Sequence, residues 1–156
     1  MGIFRRSLLQ SVPFLVLASG QSLASVATRA NVYLTPSCGC CRAWVRHLQL
    51  AGFTTELRML DDLTAIKRQL RIPEQFWACH SARIGEYFIE GHVPHDAIKR
   101  LLSDRPLAAG LAVPGMPVGS PGMEVDGHDP ESYDVFLISR DGRAAPYMRY
   151  RGALPG

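Results

Sequence analysis

The chain of 156 residues lacks a hydrophobic run long enough to cross a membrane. Its most apolar stretch, residues 8–18, spans roughly 11 residues and is interrupted by Gln10, Ser11 and Pro13, whereas a membrane-spanning helix needs about 20. No internal repeat is visible along the sequence. We therefore expect no stable membrane span in the mature protein.

The chain also lacks a marked excess of charge of one sign. Its net charge of +3 depends on Arg5 and Arg6, without which the 17 basic residues fall to 15 against 14 acidic ones. The other arginines are scattered, and no basic run is interleaved with aromatic residues as a nucleic-acid surface would require. We therefore do not expect nucleic acid to be a partner.

Residues 1–27 have the features of an export signal. Arg5 and Arg6 precede the apolar stretch, and small residues offer cleavage sites that end at Ala24 and Ala27. The two arginines also resemble a twin-arginine signal, although Phe4 stands where that signal usually has Ser or Thr, so the export route stays open. We expect a cleaved signal peptide over 1–27 and one domain over 28–156.

Apolar periodicity predicts an α/β fold for the mature chain. The order is strand, helix, strand, helix, hairpin and helix, with a second hairpin at the end, and the alternating start implies parallel pairing. The expected strands cover 31–35, 53–60, 82–84, 87–89, 135–139 and 147–150, and the expected helices cover 41–52, 62–72 and 94–106. Residues 107–130 have no periodicity and many Gly and Pro, which is typical of a long functional or disordered loop.

Three of the four cysteines form the phrase Cys38-Gly39-Cys40-Cys41, between the first strand and the first helix. The helix N-terminus carries partial positive charge, which lowers a thiol pKa and favours the thiolate that attacks disulfides and binds metals. Cys38 and Cys41 form a C-x-x-C pair, and a simple redox pair does not need Cys40. Two structural disulfides are an alternative, but adjacent cysteines bridge only with strain, and a Cys38–Cys41 bridge constrains little chain.

Candidate ligands also lie outside this phrase. Cys79 stands next to His80, His92 precedes a helix, and Pro-Gly-Met occurs twice, seven residues apart, in the aperiodic loop. Thiolate, thioether and imidazole together suit copper, in particular Cu(I), and zinc is the rival metal. The candidate metal ligands are Cys38, Cys40, Cys41, Cys79, His80, His92, Met116 and Met123. The other histidines are weaker candidates: His47, His95 and His128.

These motifs resemble the CopG-type family of exported copper-resistance proteins. The matching phrases occur in order over nearly all of the mature chain, at residues 33–41, 79–80, 87–94, 110–117, 119–124 and 133–135. The resemblance implies a thioredoxin-like fold with a central mixed sheet flanked by helices, and a periplasmic location. It also implies a copper site built from the clustered cysteines, the Cys-His pair and nearby Met and His side chains.

The expected function is therefore periplasmic copper binding in copper resistance and homeostasis, with Cu(I) held in a multinuclear cluster if thiolates bridge the ions. Copper and thiol redox activity, with cycling between Cu(I) and Cu(II), is a further hypothesis. The main alternative is a thiol–disulfide oxidoreductase that acts on periplasmic proteins, and a third is a disulfide-bearing binding module. Candidate partners are copper ions and a periplasmic copper chaperone or efflux component.

Overall fold

The structure is a computed structural model, which describes residues 28–156. The expected signal peptide and its cleavage sites, residues 1–27, lie outside the described residues. Among residues 28–156, no helix has the length and apolar character that crossing a membrane requires.

One eight-stranded mixed sheet runs through the described residues, in the order β2-β1-β3-β4-β5-β6-β7-β8. The elements in chain order are β1 (Arg29–Leu34), α1 (Gly39–Leu50), β2 (Thr54–Met59), α2 (Thr64–Gln69), β3 (His80–Ile84), β4 (Tyr87–Glu90), α3 (His95–Asp104), β5 (Ala108–Ala112), β6 (Ser132–Ser139), β7 (Ala144–Arg151) and β8 (Leu154–Pro155). Strands β1 and β2 are parallel, as are β4 and β5, and the other neighbours are antiparallel. The predicted α/β class with a central mixed sheet is confirmed, and strands β1 to β4 with the three helices follow the thioredoxin-like order.

Helices cover both faces of this sheet. Successive side chains of a strand point to opposite faces, so Phe88 and Ile89 of β4 belong to two separate hydrophobic clusters. The larger cluster contains Trp44 from α1 and Ile98 from α3, whose helical spacing of apolar residues buries one stripe against the sheet. The smaller cluster contains Ile72, which follows α2. Helix α1, which carries the candidate ligands Cys40 and Cys41, is therefore held against the sheet by its buried stripe.

Two strands were not predicted from the sequence. The expected loop of residues 107–130 begins instead with β5, whose residues Ala108–Ala112 include no β-branched or aromatic side chain. Parallel pairing with β4 holds β5 in the sheet, and a Cβ at Gly110 would clash with the Phe88 carbonyl oxygen. The close approach explains the glycine. The short β8 pairs only with β7 at the edge of the sheet.

Candidate metal centre

The pairing of β1 with β3 brings the distant cysteines together. Leu34, the last residue of β1, is in register with His80, the first residue of β3. The turn after β1 carries Cys38 at the N-cap of α1, and Cys79 directly precedes β3. Residues separated by about forty positions in the chain thus meet at one end of the sheet.

All four cysteine sulfurs lie in one cluster. Cys38 and Cys41 are joined by a disulfide, whereas Cys40 and Cys79 are free. The Sγ atom of Cys40 lies 3.5 Å from that of Cys38 and 4.0 Å from that of Cys79. The structure therefore contains one bridge, where the disulfide alternative required two.

Two buried imidazoles extend the sulfur cluster. The Sγ atom of Cys79 lies 3.3 Å from Nδ1 of His80 and 3.2 Å from Nε2 of His92, and the three side chains form a second group whose ligand atoms are close enough to hold a metal ion. The rings of His80 and His92 meet edge to face at a centroid distance of 5.0 Å. We call the combined set the metal centre: Cys38, Cys40, Cys41, Cys79, His80 and His92.

The two histidines are held differently. Nδ1 of His92 lies 2.9 Å from the Pro121 carbonyl oxygen, which can only accept, so Nδ1 carries the hydrogen and Nε2 of the neutral ring presents its lone pair towards Cys79. A metal-binding histidine is typically oriented by such a hydrogen bond to a carbonyl. His80 faces Cys79 with Nδ1, whereas its Nε2 is buried without a hydrogen-bond partner among residues 28–156, and its ring packs on Trp44 at 4.4 Å. Nδ1 is therefore the His80 nitrogen that could bind an ion beside the Cys79 sulfur.

Burial keeps these side chains neutral in the absence of metal. It raises the pKa of the Cys79 thiol to about 12, and the neighbouring Cys40 contributes to this rise. Burial also lowers the pKa of His92 and places the pKa of His80 well below its ordinary value, to which repulsion from His92 adds. Neutral imidazole is the form that binds metal, whereas Cys79 must release its proton when an ion binds.

The loop after β5 folds onto helix α1. Gly122 has a φ of +87°, and a Cβ at this position would lie 2.6 Å from the Trp44 backbone nitrogen and 2.7 Å from the Cys40 carbonyl oxygen. Glu124 accepts a hydrogen bond from the backbone nitrogen of Gly122 at 2.9 Å, and its Oε1 lies 2.8 Å from Nε2 of His47. The Gly/Pro-rich loop therefore packs against the cysteine helix and supplies the Pro121 carbonyl.

The remaining candidates lie at the edge of this arrangement. Met123 is half-buried beside Gly122, and its carbonyl oxygen accepts a hydrogen bond from Gly119. Met116 is 54% exposed. His95 is half-buried as the first residue of α3, and His128 is exposed.

A buried ion pair, which no sequence pattern predicted, lies behind the metal centre. The Lys67 ammonium of α2 donates to the Glu90 carboxylate of β4, and both side chains are buried. Lys67 also donates to the Ala78 carbonyl oxygen at 3.0 Å, while the Ala78 nitrogen donates to Glu90 at 2.7 Å. Ser81 completes the network with contacts to both charged groups. The pair thus holds both peptide groups of the residue before Cys79.

Residues 76–123 match the model of a family described as a protein of unknown function, DUF411. No curated protein matches the chain. Two solved structures described as copper resistance protein CopG, form 1 and form 2, are each 38% identical with a TM-score of 0.75. The alignment with form 2 covers 80% of this chain and 98% of that one, and the alignment with form 1 covers 81% and 99%.

Proposed function

The chain belongs to the CopG family of copper resistance proteins, and on that premise we propose that its metal centre binds copper as Cu(I). One observation carries the proposal: four cysteine sulfurs form a cluster that continues into two buried imidazoles through Cys79. Soft sulfur donors select Cu(I). The position of the Cys79 sulfur, 3.3 Å from Nδ1 of His80 and 3.2 Å from Nε2 of His92, supports the assignment, because an ion bound to this sulfur would lie within reach of both imidazoles.

The sulfur spacing supports a multinuclear cluster. Cys40 lies within 3.5 and 4.0 Å of the Cys38 and Cys79 sulfurs, and a thiolate can bridge two Cu(I) ions. Full use of the sulfurs requires the Cys38–Cys41 disulfide to be reduced. The redox part of the proposal is balanced when two Cu(II) ions accept one electron each while two thiols form a disulfide and release two protons. The same centre would thereby convert Cu(II) to Cu(I).

We extend the proposal to the two methionines of the loop. Met123 follows Gly122, which packs on the backbone of Cys40 and Trp44. The Met123 backbone is therefore held close to the helix segment that carries Cys40. Met116 is exposed, so its flexible thioether can contact an incoming ion. Thioethers bind Cu(I) without needing to lose a proton.

The proposed place of action is the periplasm, with copper exchanged between this protein and a periplasmic chaperone or efflux component. The charged and apolar pattern of residues 1–27 supports export. The Cys38–Cys41 disulfide is a bond that persists in oxidising compartments.

The test is the copper content of the reduced chain, purified without oxygen, loaded with Cu(I) and measured by native mass spectrometry. We expect at least two tightly held ions, and their loss from a Cys38→Ser/Cys40→Ser/Cys41→Ser variant. Ser37→Ala is the matched control, because Ser37 is exposed in the same turn. A Met116→Leu/Met123→Leu variant should load more slowly or hold fewer ions. Weak binding that survives loss of the three cysteines would overturn the proposal.

A second candidate function is thiol–disulfide exchange with periplasmic proteins. The observation in its favour is the Cys38–Cys41 disulfide at the N-terminus of α1, where the helix dipole stabilises a thiolate. This function predicts metal-free reduction of insulin that is lost in Cys38→Ser and retained in His92→Ala. Retention of copper binding without such activity would favour the first proposal.

A further inference from the structure

Formation of the Cys38–Cys41 disulfide leaves a smaller donor set intact. Cys40 and Cys79 remain free, with their sulfurs 4.0 Å apart. The sulfur of Cys79 stays 3.2–3.3 Å from one ring nitrogen of each histidine. The disulfide form therefore still offers the group of Cys79, His80 and His92, with the free thiol of Cys40 beside Cys79 but outside that group.

The imidazole side of this set is already organised for an ion. His80 and His92 are fully buried, so their rings have little freedom to turn. The Pro121 carbonyl fixes the hydrogen of His92 on Nδ1 and leaves Nε2 as a donor atom. Cys40 and Cys79 are only half-buried. The cysteine side of the set is therefore more accessible to an incoming ion than the imidazole side.

We propose that the disulfide form carries a single site for a divalent ion of the zinc class, formed by Cys79, His80 and His92, with Cys40 becoming the fourth donor when its side chain turns towards the ion. This inference rests on the proposed function, because it uses part of the same metal centre. A tetrahedral set of two sulfurs and two nitrogens suits Zn²⁺, whereas a cluster of several Cu(I) ions needs more bridging thiolates than the disulfide form retains. The disulfide therefore takes two sulfurs from the copper cluster and leaves donors that suit one divalent ion.

Two features of the metal centre fit such a divalent site. His92 has a fixed tautomer, which benefits a site with directed ligand geometry more than a set of bridging sulfurs. Cys79 is the one cysteine that belongs to both groups whose ligand atoms are close enough to hold a metal ion. It therefore links the four-sulfur set, which the disulfide dismantles, to the Cys-His set, which the disulfide leaves in place.

The test uses Zn²⁺ as the probe and the chain in its disulfide form, identified by the loss of two hydrogens in the intact mass. We expect one Zn²⁺ per chain by native mass spectrometry. A Cys38→Ser/Cys41→Ser variant cannot form the disulfide but keeps the four proposed donors, so it should bind one Zn²⁺ with or without reductant. His47→Ala is the control, because its half-buried imidazole lies outside the set and pairs with Glu124.

Co²⁺, a spectroscopic stand-in for Zn²⁺, provides the second measurement. We expect thiolate-to-cobalt charge transfer in the disulfide form, about half the intensity in Cys40→Ser, and none in a Cys40→Ser/Cys79→Ser variant. Because Cys40 is only half-buried, the single variant remains informative if loss of Cys79 prevents folding. Disulfide-form protein without bound Zn²⁺, or with an equal cobalt spectrum in Cys40→Ser, would overturn the inference.

Cu(I) loading of the reduced chain separates this inference from the proposed function. Several Cu(I) ions in the reduced chain with no Zn²⁺ in the disulfide form would refute the divalent site alone. One Zn²⁺ in the disulfide form with no Cu(I) in the reduced chain would refute the copper proposal alone and leave a zinc site.

Discussion

Replacement of Lys67 by Met should destabilise the chain far more than a typical substitution on a short helix. The side chain loses its ammonium group, while Glu90 keeps a carboxylate that is fully buried. Burial raises the pKa of Glu90, and the Lys67 ammonium and the hydrogen bonds from Ala78 and Ser81 oppose that rise. Without the ammonium, the carboxylate must either stay charged without a partner or take up a proton.

The structure sets the expected magnitude. Removing one partner of a buried ion pair costs about 3–5 kcal/mol of unfolding free energy, and about 3 kcal/mol lowers the Tm of a domain of this size by roughly 10 °C. The whole unfolding free energy of a typical domain is about 5–15 kcal/mol. We therefore expect Lys67→Met to remove a large share of the stability.

The assay is urea unfolding of the metal-free chain in its disulfide form, followed by circular dichroism. Lys99→Met is the matched control, since Lys99 is an exposed lysine of α3, and it should change the free energy by less than about 0.5 kcal/mol. A Lys67→Met/Glu90→Gln variant removes the buried charge and should recover at least about 1 kcal/mol.

The effect should also depend on pH. Because the folded-state pKa of Glu90 is raised, protonation favours the folded state below that pKa, and the cost of the carboxylate appears as the pH rises through it. The deficit of Lys67→Met relative to the original chain should be largest near pH 7 and shrink towards about pH 4. A deficit below about 1 kcal/mol, or one independent of pH, would refute the reasoning.

Two further predictions concern the surroundings of the cysteines. Gly122→Ala should lower the unfolding free energy by more than about 1 kcal/mol beyond Gly127→Ala, because both glycines have positive φ but only Gly122 would place a Cβ against α1; urea unfolding of both variants measures the difference, and equal losses would contradict it. Alkylation of Cys79 in the metal-free chain should still rise about tenfold per pH unit between about pH 9 and about pH 11, because burial raises its pKa to about 12. Peptide mass mapping measures this rate, and a plateau near pH 9 in the folded chain, like that expected after denaturation, would contradict it.

Elements with strong periodicity could be predicted from the sequence. Helix α1, whose apolar stripe includes Trp44 and Leu48, lies within a few residues of its predicted bounds. The same is true of the hairpin β3–β4. Strand β5 could not be predicted, because its alanines and Gly110 have little preference for strands and depend on pairing with β4. A local pattern does not record such a non-local cause.

The candidate site also has features that could be predicted from the sequence and features that could not. Residue types alone identified Cys79 and His80 as candidate ligands, but their distance from α1 follows from the register of β1 with β3. The Lys67–Glu90 pair had no sequence signal, since a lysine on a short helix and a glutamate at the end of a strand are usually solvent-exposed. Only the packing of α2 against β4 buries both charges.

The hydrogen bonds around Ala78 determine how the neighbouring sulfur can move. The Ala78 nitrogen donates to Glu90, and the Ala78 carbonyl oxygen accepts from Lys67. On the other side of Cys79, the His80 carbonyl oxygen accepts from the Gly91 nitrogen at 3.1 Å. The main chain on both sides of Cys79 is thus anchored to separate elements. Because the backbone is held in place, the sulfur of Cys79 moves most easily by rotation about the Cα–Cβ bond.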